Sequence, residues 1–144
     1  MSARHNVILL VEDNPGDARL TMEAFGVNGA PDRVRHVVDG VEALAFLRRE
    51  GGHGKAPRPD LIVLDLNLPR LSGREVLAVI KADAALRCIP VVVLTTSQAE
   101  EDVLAAYNLH ANCYVAKPPD LDSLLLAIRS IEEFWLRIAR LPGN

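Results

Sequence analysis

At 144 residues, 49% of them hydrophobic and 24% charged, the chain has the size and balance of one soluble domain, long enough to bury roughly two-thirds of the surface its unfolded form exposes. A net charge of −3 offers no electrostatic footprint for nucleic acid, and no stretch approaches the roughly 20 apolar residues of a membrane span. The opening residues Met1 to Asn6 lead only into a short apolar run followed by Glu12 and Asp13, so no signal peptide and a cytoplasmic location are expected.

The first apolar run, Val7–Val11, has the length and β-branched content of a buried strand. Asn14-Pro15-Gly16 breaks it, and Ala18, Met22 and Phe25 then recur at helical spacing. Val34–Val38 is the second strand, followed by a helix carrying Val41, Leu44 and Leu47. The stretch from Glu50 to Pro59 is punctuated by glycine and proline and is expected to be a mobile loop. Leu61–Leu64 is the third strand, with Val76, Leu77 and Ile80 on the helix after it. Val91–Leu94 precedes a helix with Val103, Leu104 and Tyr107, and Cys113–Ala116 precedes the long series Leu121, Leu124, Leu125, Ile128, Ile131 and Trp135. Cys88 and Cys113 have no metal-ligand spacing and are expected as free thiols filling the core. His5, His36, His53 and His110 are scattered, in no ligand or triad spacing.

Strict alternation of strands and helices predicts a doubly wound α/β fold, a parallel sheet covered on both faces, because parallel neighbours need crossover connections. Ligands of such sheets gather at the carboxyl ends of the strands. There the first strand ends in Glu12-Asp13 and the third in Asp65. Like charges crowded together raise each other's pKa unless a cation neutralises them, and an all-oxygen carboxylate site suits Mg²⁺. In this reading Asp13 is a direct ligand and Glu12 acts through water; the alternative is that Asp13 or Asn14 caps the helix opened by Pro15. The fourth strand adds Thr95-Thr96-Ser97 and the fifth Lys117-Pro118. A hydroxyl and an ammonium suit a phosphoryl group, although Thr95 or Ser97 could cap the next helix and Lys117 could be a solvated charge.

Taken together, Glu12-Asp13, Asp65, Thr95 and Lys117-Pro118, at these places in a five-fold strand-helix alternation, resemble the receiver domain of two-component response regulators over about residues 5–130. The resemblance implies a flavodoxin-like sheet of order 2-1-3-4-5 with five helices. It makes Asp65 the phosphoacceptor, and Asp13, Asp65, Glu12 and the backbone carbonyl of Asn67 the metal site. Thr95 and Lys117 would hold the phosphoryl group, Lys117-Pro118 would be a cis peptide, and Tyr114 would be the aromatic switch. Such a protein catalyses only its own phosphorylation and dephosphorylation.

A narrower likeness, to single-domain regulators paired with phytochrome histidine kinases, rests on four features: the long Gly51 to Pro59 loop, Asp65-Leu66-Asn67-Leu68-Pro69, Gly73-Arg74-Glu75-Val76-Leu77, and the extension beyond the fifth helix. It implies a phytochrome-type kinase as partner and a homodimer. The chain then reads as one receiver domain over 1–144, with 132–144 extending its last helix. Phe134, Trp135, Ile138 and Leu141 spread around more of that helix than one sheet can cover, so they either form a dimer interface or fold back on their own domain. A haloacid-dehalogenase-like phosphotransferase fits less well, because Asn67 stands where that chemistry needs a second aspartate. A dinucleotide-binding module would meet carboxylates at its first turn instead of a glycine loop. An inactive receiver-like scaffold leaves the filled site without purpose.

Overall fold

A computed structural model describes residues 6–25 and 33–142. Five strands, β1 (Ile8–Val11), β2 (Val34–Val37), β3 (Leu61–Leu64), β4 (Val91–Thr95) and β5 (Cys113–Ala116), alternate with α1 (Pro15–Phe25), α2 (Gly40–Arg48), α3 (Gly73–Ala82), α4 (Glu100–Asn108) and α5 (Leu121–Glu132). All pair in parallel, in the order β2-β1-β3-β4-β5. Among the described residues no helix is long and apolar enough to cross a membrane.

The apolar runs explain why both faces are covered. Leu9, Val11, Ile62, Leu64, Val91 and Val93 face one core with Phe46 of α2 and Val76, Leu77 and Ile80 of α3. Their neighbours Ile8, Leu10, Leu61, Val63, Val92 and Leu94 face the other, with Ala18 and Phe25 of α1 and Leu124, Ile128 and Ile131 of α5. Side chains alternate across a strand, so a run apolar at every position needs a helical layer on each side. Each fully buried Leu, Ile or Val contributes about 1.5–3 kcal/mol.

Caps fix where the helices begin. Asn14 Oδ1 accepts from the Asp17 N–H at 3.0 Å, so Asn14 caps α1, with Pro15 as its first residue, and Asp13 is left out of the cap. Asp39 and Asp120 cap α2 and α5, and Ser72 with Glu75 closes a reciprocal capping box on α3. Two glycines allow the loops to close on the sheet. A Cβ on Gly73 would stand 2.2 Å from the Asp65 carbonyl oxygen, and one on Gly40 2.3 Å from that of Leu71.

One expectation is corrected. Cys88 is exposed, beside the Arg58 guanidinium, because it follows α3 in a loop instead of lying in a strand; both cysteines are free. Within the stretch from Glu50 to Pro59, Gly51–His53 forms a 3₁₀ turn, the His53 ring packs edge-on against Phe46 at 5.5 Å, and Arg58 donates to the Ala85 carbonyl. After α5 the helical path continues and widens into a π-helical turn over Glu133–Ile138. There Trp135 and Leu136 pack on the α1/α5 side of the core, while Phe134 and Ile138 are exposed. His5 lies outside the described residues.

Candidate functional site

Strand order and register build the site. β1 is followed first by β2 on one side and then by β3 on the other, so the switch of direction lies between β1 and β3. Val11 pairs with Leu64, the last residue of each strand, which brings the next residues Glu12 and Asp65 side by side. The Asp65 N–H donates to the Val11 carbonyl at 3.0 Å and the Glu12 N–H to that of Val37 at 3.1 Å. Glu12, Asp13 and Asp65 each offer a carboxylate oxygen, all within 4.8 Å of one another. Glu12 and Asp65 are buried and Asp13 is exposed.

These carboxylates line a cavity of about 440 Å³, together with Asn67, Thr96 and Lys117. Lys117, at the end of β5, is buried, not solvated. Its Nζ donates to Glu12 Oε1 at 2.5 Å, Asp17 Oδ2 at 3.0 Å and Asp65 Oδ2 at 3.2 Å. The other Asp65 oxygen accepts from the Asn67 N–H at 3.1 Å. Burial pushes the Glu12 carboxyl up, to about 7; the Lys117 hydrogen bond opposes the shift and the Asp65 charge adds to it. Burial alone would lower Lys117, but Glu12, Asp17 and Asp65 outweigh it and hold the ammonium above its usual range. One lysine therefore faces more negative charge than it neutralises, in an all-oxygen donor set, and this is the condition a hard divalent cation satisfies. The residues fit such an ion.

Thr95 ends β4 fully buried, and its Oγ1 has no hydrogen-bond partner. It caps nothing, since α4 starts at Glu100 without a side-chain cap. A buried hydroxyl left unpaired costs about 1–3 kcal/mol, and a phosphoryl oxygen entering at this rim would offer it an acceptor. The Tyr114 hydroxyl donates to the Ser97 carbonyl at 2.9 Å, which ties the ring to the loop that follows Thr95. That loop is held from the far side too: Ser97 Oγ donates to Asp102 at 2.5 Å, and Asp102 pairs with Arg74 of α3.

The expected cis bond is absent among the described residues: Lys117-Pro118 is trans. The trans form of an X-Pro bond is favoured by about 0.5–1 kcal/mol, and the Lys117 N–H bond to the Thr95 carbonyl, 2.7 Å, already turns the lysine into the cavity. Sequence reasoning missed Asp17. An acidic residue in a first helical turn is common for reasons of the helix dipole alone, so only the distance to Lys117 singles out Asp17.

Residues 8–129 match the family described as the response regulator receiver domain. Response regulator Rcp1 of Synechocystis is 49% identical over 137 residues, spanning 95% of this chain and 93% of that protein. The crystal structure of the phosphorylated cyanobacterial phytochrome response regulator RcpA superposes with a TM-score of 0.94 at 53% identity, over 97% of this chain and 100% of that one. The Mn²⁺-bound form of Rcp1 gives 0.91 at 48% identity, over 96% and 99%. With strand order, acidic cluster and full-length similarity in agreement, the chain belongs to the response regulator receiver domain family, the phosphoryl-accepting side of two-component signalling.

Proposed function

We propose that the chain is a stand-alone response regulator acting in the cytoplasm, in which Asp65 takes a phosphoryl group from a phytochrome-type sensor histidine kinase in a Mg²⁺-dependent reaction. The observation that carries this reading is the convergence of Glu12, Asp13, Asp65 and Lys117 on one cavity at the switch point of the sheet. The likeness to RcpA, a phytochrome response regulator, supports the choice of kinase.

In the transfer, an Asp65 carboxylate oxygen bonds to phosphorus as the donor's P–N bond breaks, its electron pair remaining on the imidazole nitrogen. Asp13, Asp65 and the Asn67 carbonyl would hold the ion and Glu12 a water beside it. Bound there, Mg²⁺ supplies positive charge that screens carboxylates and phosphoryl oxygens from one another. Lys117 neutralises a phosphoryl oxygen and Thr95 donates its free hydroxyl to another, both favouring a loose transition state. Movement of Thr95 toward the phosphoryl group draws the following loop with it, and the Tyr114 ring, bonded to Ser97 of that loop, has to follow. The output is then a changed protein-interaction surface.

Labelling by a small acyl phosphate is expected to saturate with Mg²⁺ and to vanish in excess EDTA. The half-saturating Mg²⁺ should rise several-fold between about pH 8 and about pH 6, because protons compete for the carboxylates and Glu12 titrates near 7 in the metal-free protein. Full labelling in chelator would overturn the metal requirement.

The proposal includes a homodimer through the tail, which is supported by the exposure of Phe134 and Ile138. Phe134→Ala with Ile138→Ala should weaken self-association at least roughly tenfold in sedimentation, each exposed ring or branched chain being worth about 1 kcal/mol or more at an interface centre. Labelling of Asp65 should be unaffected. An undiminished dimer would assign the contact elsewhere.

A further inference from the structure

Asp17 lies in the first turn of α1, outside the group of carboxylates that could share a divalent ion. Its backbone is fixed on both sides: its N–H donates to Asn14 Oδ1 at 3.0 Å and its carbonyl accepts from Thr21 Oγ1 at 2.7 Å. Its carboxylate is thereby aimed at Lys117, 3.0 Å away.

Asp17, Thr96 and Lys117 form a shared wall. On one side is the phosphoacceptor cavity of about 440 Å³. On the other is a larger cavity of about 700 Å³ that also touches Arg19, Glu23 and Pro118. An ammonium has three protons to give, and here they are divided among Glu12, Asp17 and Asp65. A divalent ion held by Asp13 and Asp65 would offset the charge of those two carboxylates. It would leave Asp17 with its full charge and Lys117 as its partner.

We propose that Asp17 is a positioning residue that restrains phosphoryl transfer: it holds Lys117 in the wall between the two cavities and competes with the incoming phosphoryl oxygen for its ammonium. The inference rests on Asp65 being the phosphoacceptor. At a separation near 3 Å, in a site open on one side, the carboxylate opposes the lysine's move toward the phosphoryl group by an amount comparable with an ordinary charge-assisted hydrogen bond. The restraint acts through Lys117 and not through the metal.

The test uses the full chain with saturating Mg²⁺ and acetyl phosphate as donor. Asp17→Asn is expected to raise the labelling rate about 3–10-fold, the range that a partial loss of one such bond gives. Asp17→Glu, which keeps the counter-charge, should return the rate to near the wild-type value. Glu23→Gln removes a carboxylate from the same larger cavity, where Glu23 is exposed and pairs with Arg19, not with Lys117. It should leave the rate unchanged. In the Lys117→Ala background, Asp17→Asn should add nothing, since non-additivity marks residues that act on one another. A second readout needs no donor at all: the ¹⁵N resonance of the Lys117 ammonium should shift in Asp17→Asn.

An unchanged or slower rate in Asp17→Asn, an equal acceleration in Glu23→Gln, or an unmoved Lys117 resonance would each overturn the proposal. A wild-type protein that takes no label on Asp65 while the Lys117 resonance still responds to Asp17→Asn would instead overturn the phosphoacceptor reading. The ion pair would then survive as a structural contact only, and a restraint on transfer would be excluded.

Discussion

Asp65→Asn is expected to eliminate acid-stable, hydroxylamine-labile phosphate from the protein without costing it stability. The two halves of that expectation have separate causes. An amide oxygen carries no formal charge, so the substitution removes both the nucleophile and one carboxylate of the metal cluster, and the loss of label should exceed roughly 100-fold, as for other groups that form a bond in the transition state. The fold should not suffer, because Asp65 stands in a crowd of like charge around a single ammonium. Removing one negative charge relieves repulsion in the metal-free protein, and Lys117 retains Glu12 and Asp17. The denaturation midpoint without Mg²⁺ should therefore equal or exceed that of wild type, the usual trade between a strained site and stability. Mass spectrometry of the labelled protein checks the first half and urea unfolding the second. Label persisting at wild-type stoichiometry would place the acceptor on another residue.

Gly73→Ala is expected to damage both stability and labelling although Gly73 does not line the cavity. The added Cβ would meet backbone, not a yielding side chain: the Asp65 carbonyl oxygen at 2.2 Å and the Leu66 Cα at 2.5 Å. Either α3 retreats, breaking the 2.9 Å bond from the Gly73 N–H to the Leu66 carbonyl, or the end of β3 moves and carries Asp65 with it. Overpacking of this kind costs about 1–3 kcal/mol, which in a domain of this size lowers Tm by roughly 2–12 °C. Labelling should fall as well, since misplacing a reacting group by about 1 Å can cost 100-fold. Gly52→Ala is the control, because a Cβ there has nothing within 4 Å and its loop lies far from the cavity. A Gly73→Ala protein that melts and labels like Gly52→Ala would show that the approach of α3 to β3 is softer than the distances state.

The legible part of this molecule was whatever follows from burial. Asp65 directly after Leu61–Leu64 could be singled out because a carboxylate ending a fully buried run needs a partner, and the partner proved to be Lys117. The alternation of apolar runs and helical faces led to the parallel sheet for the same reason. Geometry at the scale of one contact was not legible. Asp17 looks like any acid in a first helical turn, and Gly73 like any residue after a Ser cap. Cys88 was misassigned because a small apolar type in an apolar context says nothing about which side of a loop it occupies. Trp135 could not be sorted from Phe134 in the tail, since a π-helical turn changes the spacing on which that sorting depends. The Lys117-Pro118 isomer was expected from family likeness alone, and the chain reaches the same inward lysine with the ordinary trans bond.

The long loop and the C-terminal tail meet at the rear of the sheet. Arg58 and Pro59 of the long loop, Cys88 and Pro142 line one small recess at the strand beginnings, opposite the acidic rim. Chemistry and ornament are thus segregated at the two poles of a rigid slab. A change of length or charge at the rear pole can therefore alter which surface the protein offers a partner without touching the residues of the reactive pole.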